Sequence, residues 1–310
     1  MEVLEKQQVK YSFSGHDTFQ CRQFWLKKGY EFVKAGKLQG NEAAKSFGNE
    51  AAVVDLGVGK NMVSAIYFWM KAFDLLDKEG ELTDIAKYLF DVEGKDPYLE
   101  HEASLWLLHY HLVKKGLAST YTLVFNELRR EKIEFSKDNF IGFVNRKVEY
   151  AGINNINPKT VATDFDIFVK MYKQTNSQGN DIEDTFSGLL TELNLLKYEN
   201  RKSDDKTETY YYIDNLERAE IPDEVVLYAI VNTGGFDHSI SLSAIEQNPD
   251  NAGSVFAFNR TGLVNKLESI SSSKKFKEFG ITYTDHAGIK ELQFKRKPNP
   301  FEILNIYYGN

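Results

Sequence analysis

The densest grouping of chemically capable side chains is Phe13-Ser-Gly-His-Asp-Thr-Phe-Gln-Cys-Arg22. His16 and Asp17 are adjacent, directly after Gly15. A histidine beside a carboxylate can serve as a general base or bind a metal. Neighbours on an extended strand point to opposite sides, however, so two adjacent side chains rarely chelate one ion. The competing reading is a buried, hydrogen-bonded turn that anchors the N-terminal segment.

A second grouping is Gly57-Val-Gly-Lys-Asn61. A phosphate loop of the nucleotide-binding kind needs an earlier glycine, then Lys and a Ser or Thr hydroxyl for magnesium. Here position 54 is Val54 and Asn61 replaces the hydroxyl, so no nucleotide is expected. A tight turn into a helix is the better reading. Its exposed amides, with Lys60, would suit a phosphate of the DNA backbone.

The other candidates are thinner. His101, His109 and His111 fall on one expected helix. His101 and His109 are two turns apart, roughly 12 Å at the helical rise, and cannot share an ion. No Cys or His cluster has zinc spacing. Glu291, Gln293 and Lys295 alternate onto one strand face beyond Asp285, a weak echo of metal-dependent nucleases and equally a solvated wing. The single cysteine, Cys21, lacks a nucleophile motif and allows no intrachain disulfide, in keeping with a reducing compartment.

Those residues need elements to position them. Met62, Ile66, Trp69, Phe73 and Leu76 recur at helical spacing over 61–77, and Thr83 caps a short helix to Leu89. A helix over 99–115 stops at Gly116. Leu26-Lys-Lys-Gly-Tyr30 reads as a helix end, and 119–135 as a strand or hairpin. Ser136 caps a helix to Tyr150. Asn157 and Pro158 open another to Tyr172. Residues 174–184 are polar and read as a linker. A short helix over 186–196 follows, then a hairpin over 198–213. Helices at 223–231, 242–247 and 261–269 precede paired strands at 281–284 and 290–294. The expected fold is mainly α, of the α+β class. It is built from helix-turn-helix and winged-helix modules with small β-hairpin wings. The shape recurs near 46–90, 136–173 and 221–296. Two parts are expected, 1–180 and 181–310.

On the helix from Pro158, Lys159, Thr160 and Thr163 occupy the early positions from which a recognition helix reads DNA, with Asp164 and Asp166 working against it. Lys274, Lys275 and Lys277, with Lys295, Arg296 and Lys297, flank the C-terminal hairpin, where a wing would meet phosphates. Lys27-Lys28, Arg129-Arg130 and Arg146-Lys147 are further basic pairs. The net charge of −7 gives DNA binding no support from composition, since nonspecific affinity comes from Lys and Arg. A charged N-terminus and the lack of any 18-residue apolar run lead us to expect a cytoplasmic protein, neither secreted nor membrane-spanning.

Three segments together resemble a bacterial family long catalogued as a domain of unknown function. They are Phe13 to Arg22 with Trp25-Leu-Lys-Lys-Gly29; Leu56-Gly-Val-Gly-Lys-Asn-Met-Val63 with Ala65-Ile66 and Trp69; and Asp96-Pro-Tyr-Leu-Glu100 with Leu105-Trp-Leu-Leu-His109. Ala287-Gly-Ile289 and Tyr307-Tyr308 resemble the family's ending. Such proteins accompany DNA phosphorothioation genes. The likeness extends to the SspB-type component of the single-strand phosphorothioation antiphage system, understood to nick DNA so that sulfur can be incorporated. The resemblance implies double-stranded DNA as ligand. It also implies a cysteine desulfurase, an ATPase and a sulfur transferase as partners. His16, Asp17, Lys60, Asn61 and Glu100 are the polar residues inside the matched motifs. For a metal-dependent nickase, Asp17 and Glu100 would hold Mg2+ or Mn2+, His16 would be the base and Lys60 a phosphate clamp. A non-enzymatic DNA-binding adaptor and a protein-interaction scaffold remain open beside it, as does a homodimer.

Overall fold

The computed structural model describes residues 11–153, 156–173, 187–203, 206–286 and 288–309. The protein is mixed α and β, mostly helical, with two small antiparallel sheets. The first helices are α1 (Trp25–Leu38), α2 (Ala43–Gly48), α3 (Ala51–Leu56), α4 (Lys60–Ala72), α5 (Asp84–Phe90) and α6 (Glu102–Lys115). The apolar stripe expected over 61–77 becomes α4 and the turn after it, with Ile66, Trp69, Phe73 and Leu76 fully buried. Thr83 caps α5 through its hydroxyl, and Gly116 closes α6 in the left-handed region.

The pattern at Leu26–Tyr30 is not a helix end. It is the start of α1, and Gly29 sits inside it because α4 packs close. A Cβ at position 29 would lie 2.9 Å from the Met70 side chain and 3.1 Å from that of Ile66. The strand expected over 119–135 is also mostly helical: α7 (Ser119–Leu123), a π turn (Val124–Leu128) and α8 (Arg129–Glu131), before a short β1 (Glu134–Phe135). Tertiary contacts override β propensity there. The Tyr121 ring meets Trp69 and Phe168 at 6.0 and 5.3 Å.

Then follow α9 (Lys137–Tyr150), α10 (Pro158–Tyr172), β2 (Lys197–Ser203) and β3 (Lys206–Tyr212). Ser136 forms a capping box at α9, and Asn157 caps α10 ahead of Pro158. The linker expected at 174–184 lies outside the described residues, as does Phe186. Of the helix expected over 186–196, the described part holds a single 3-10 turn, Thr191–Leu193. The last third contains α11 (Asp223–Thr233), β4 (Ser239–Ser241), α12 (Leu242–Gln247), α13 (Ala252–Val255), α14 (Arg260–Ser272), β5 (Ile281–His286), β6 (Ile289–Phe294) and α15 (Pro300–Tyr308).

One connectivity occurs twice. A helical stretch, a short strand, two helices and a hairpin run from α7 to β3, and again from α11 to β6 with α13 inserted. In each, the short strand pairs with the second hairpin strand, giving the orders β1-β3-β2 and β4-β6-β5. A single core joins both copies and the N-terminal helices. His109 of α6 sits within it, fully buried. Its Nε2–H donates to the Val255 carbonyl at 2.8 Å, so Nδ1 accepts from the Tyr172 hydroxyl, also at 2.8 Å. Among the described residues, no helix is long and apolar enough to cross a membrane.

Burial, with Arg218 and Arg129 nearby, pushes the His109 pKa down to about 3, against the opposing pull of the Val255 carbonyl. The unfolded chain takes up this proton near pH 6.5 and the folded chain does not. The contribution to stability is therefore complete above about pH 6.5 and is lost as pH falls towards 3. At pH 5 the loss is about 2 kcal/mol. In urea titrations, the stability gap between the natural protein and His109→Gln should narrow by that amount from pH 7 to pH 5. A constant gap would contradict it.

Candidate functional site

Residues 11–24 form no regular element, yet they lie against the core. The backbone turns sharply, with φ of 111° at Gly15, 44° at Asp17 and 65° at Thr18. A Cβ at Gly15 would also come within 2.6 Å of the Phe68 ring, so two constraints converge on glycine there. The turn brings His16 inside, 4% exposed. Its ring stacks on Trp69 at 5.9 Å and meets the edge of Phe68 at 5.7 Å.

His16 Nε2–H donates to Asp164 Oδ1 of α10 at 2.6 Å, and the other carboxylate oxygen accepts from the Thr120 hydroxyl. His16 Nδ1 is buried without a hydrogen-bond partner among the described residues. Asp164 was read from sequence as a residue opposing DNA contact. It instead turns inward, and Asp166 pairs with Lys137. The available signal was its place on the apolar stripe of Val161, Phe165 and Phe168. A carboxylate on a buried face needs a partner.

Above this pair opens a cleft of ≈ 290 Å³. Gly15, His16 and Asp17 form one side, and Lys159, Thr160 and Thr163 the other. Two groups chosen separately from the sequence thus line one space. The Asp17 carboxylate and Lys159 ammonium are exposed there. Thr163 donates its hydroxyl to the Lys159 carbonyl at 3.0 Å. Acid, cation, hydroxyls and a supported imidazole in one cleft are groups suited to a phosphodiester.

The remaining candidates stand elsewhere. Glu100 is exposed on a loop organised by buried Asp96, which accepts from the amides of Glu100 and His101 and from the Ser104 hydroxyl. It does not line the cleft. Lys60 and Asn61 are exposed on the first turn of α4. Lys275 is bound to the buried carboxylate of Glu224 at 2.8 Å. Arg296 pairs with Glu302 and Glu278 and covers the Phe279 ring. Lys274 and Lys295 are exposed.

Residues 13–308 match a family described as a protein of unknown function, DUF4007. The chain belongs to this family. Two solved structures are similar: an SspB crystal structure at 28% sequence identity and a magnesium ion-bound SspB crystal structure at 26%. Each aligns with a TM-score of 0.79 over 97% of this chain and 89% of its own. No curated protein matches the chain. Among the described residues, no three His, Cys, Asp or Glu side chains group to cage a metal. Magnesium, however, is commonly held by one or two carboxylates, retained waters and a substrate phosphate. Asp17 is the exposed carboxylate in the described lining of the cleft.

Removing the Asp164 carboxylate strands His16 and Thr120. Breaking such a buried pair costs about 3–5 kcal/mol, while apolar replacement of both partners costs far less. Chemical denaturation should place Asp164→Ala well below the natural protein and the His16→Phe/Asp164→Leu double variant above Asp164→Ala. Additive losses would show that the pair is not coupled.

Proposed function

We propose that this protein is a DNA-binding component of a bacterial DNA phosphorothioation and antiphage system, and that its cleft between His16 and Lys159 engages the DNA backbone. The observation that carries this reading is the meeting of His16, Asp17, Lys159, Thr160 and Thr163 in one cleft. The likeness to the SspB structures supports the system. The repeated connectivity, with short strand, helix pair and hairpin, supports reading both copies as winged-helix modules. Their recognition helices would be α10 and α14. The chain would divide near residue 180 into an N-terminal helical part and a C-terminal winged-helix part. Its partners would be the cysteine desulfurase, the ATPase and the sulfur transferase of such a system.

The finer form of the proposal is a nick. Water adds to phosphorus, one ester P–O bond breaks, and the leaving oxygen takes a proton. Bound at Asp17, a magnesium ion would supply charge stabilisation for the phosphate. Lys159 holds a non-bridging oxygen. Asp164 orients His16 and leaves Nδ1 as the nitrogen able to accept a proton. Since Nδ1 is covered, this role requires the turn at residues 15–18 to open. That cover favours the second reading: an adaptor that binds DNA and recruits the enzymes.

Supercoiled plasmid incubated with the protein, with Mg2+ or EDTA, separates the two. Nicking predicts metal-dependent open circles, reduced about 100-fold or more in Asp17→Ala and His16→Gln. The adaptor predicts intact supercoils and a salt-dependent gel shift. In both cases Lys159→Ala should weaken binding and reduce the slope of log affinity against log salt by about 1. A protein that neither binds nor nicks DNA defeats both.

A further inference from the structure

A second cavity, ≈ 460 Å³, opens where the same N-terminal segment runs into α1. Its size is that of a small-ligand pocket, roughly 300–1,000 Å³. Arg22, Phe24, Trp25 and Lys28 form one wall, Leu99 and Leu105 part of the other. Two of these residues are bulky and left-handed: Phe24 at φ 68° and Leu99 at φ 57°. Non-glycine residues with large side chains rarely sit there, and such strain gathers at functional sites. Leu99 packs against the core, which accounts for its side chain. Phe24 is 50% exposed. Glycine would meet its backbone needs without strain, so packing does not explain a phenylalanine.

The surroundings indicate what the ring is for. Arg22 carries its guanidinium 5.3 Å from the Trp25 ring centre and 5.7 Å from that of Phe19. Lys28 is exposed, with its ammonium reaching the Leu56 carbonyl at 3.2 Å. Tyr98, 56% exposed, stands next to Leu99 with the Lys27 ammonium 5.9 Å from its ring. Glu192 is the one acid in the described lining. One exposed aromatic face, Phe24, beside the cations Arg22 and Lys28 fits a base with its phosphate: the ring stacks and the cations meet the backbone. Arg22 lies six positions beyond His16, at most about 22 Å of chain, so one strand could occupy both clefts.

We propose that this cavity takes an unstacked base of single-stranded DNA, with Phe24 as the stacking face and Arg22 and Lys28 on the adjoining phosphates. The proposal rests on the DNA reading above and adds that the protein distinguishes opened strand from duplex. In B-form duplex the bases are stacked and their faces are closed to Phe24.

The test measures fluorescence anisotropy of a labelled 12-nucleotide single strand and of its duplex, with the full chain. Phe24→Gly should lose about tenfold or more in single-strand affinity, the scale of one base stack. It should keep its duplex affinity and its thermal stability, since glycine relieves the backbone. Phe24→Trp should recover the single-strand affinity and show added tryptophan quenching on binding. Equal single-strand affinity in Phe24→Gly, equal losses for strand and duplex, or no added quenching in Phe24→Trp would each overturn the proposal. Duplex binding without single-strand binding by the natural protein would overturn this inference alone. Failure to bind either DNA would remove the DNA reading with it.

Discussion

The bond between His16 and Asp164 joins residues 148 positions apart, and the placement of the whole N-terminal segment follows from it. A stretch without helix or sheet must still satisfy its backbone when it lies on a core. This one does so by stitching. The Ser12 amide donates to the Ser119 hydroxyl and the Ser119 amide to the Ser12 carbonyl, Trp69 donates its indole N–H to the Phe19 carbonyl, and Leu189 donates its amide to the Cys21 carbonyl. The segment therefore crosses α7, α10, α4 and the turn at 187–193 in succession. Were His16 not drawn inward, the turn that presents Asp17 to the cleft would have no fixed geometry. One buried pair both closes the fold and shapes the candidate site.

The C-terminus is fastened by a related device. The Tyr308 hydroxyl and the Ser104 hydroxyl are 2.6 Å apart, and Ser104 bonds Asp96 at 2.5 Å. Tyr88 donates to Asn305, and Lys95 to the Gly309 carbonyl. The motif residues thus separate into two kinds. His16 and Asp96 are consumed in joints between distant parts of the chain. Asp17, Lys60, Asn61 and Glu100 remain exposed and contribute little to the core. The second kind is where chemistry or contact has room to act, and Asp17 is the member whose neighbours form a cleft around it.

Much of the helical order was legible because its signals are local. Ser136, Asn157 with Pro158, Thr83 and Gly116 mark their helix ends by side-chain hydrogen bonds or a left-handed turn. The misread stretches are those whose conformation is decided by distant partners. Gly29 looks like a stop until α4 arrives against it. Thr120 and Tyr121 favour a strand until Asp164, Trp69 and Phe168 receive them. The site follows the same division. His16, Asp17, Lys159, Thr160 and Thr163 could be chosen by type and spacing. That they face one cleft, and that Asp164 supports His16, depends on long-range packing that no local window contains.

The duplicated connectivity sharpens this point, because its two copies are used differently. In the first copy, α10 is covered by the N-terminal segment, and its inward residues include Asp164 and Phe168. Its N-terminal end, with Lys159, Thr160 and Thr163, reaches an open cleft. In the second copy, α14 buries a narrow face, Gly262, Leu263, Leu267 and Ile270, and leaves Thr261, Asn265 and Glu268 in solvent. The covered copy has exchanged a free helix face for a built cleft. The open copy has kept its face and holds three of its flanking cations in ion pairs: Arg260 with Glu246, Lys266 with Asp223 and Lys275 with Glu224. The charge around the more exposed helix is thus divided between these paired cations and the exposed Lys274 and Lys295. The cleft beside Lys159 is made by the N-terminal segment and α10 together, and neither could form it alone.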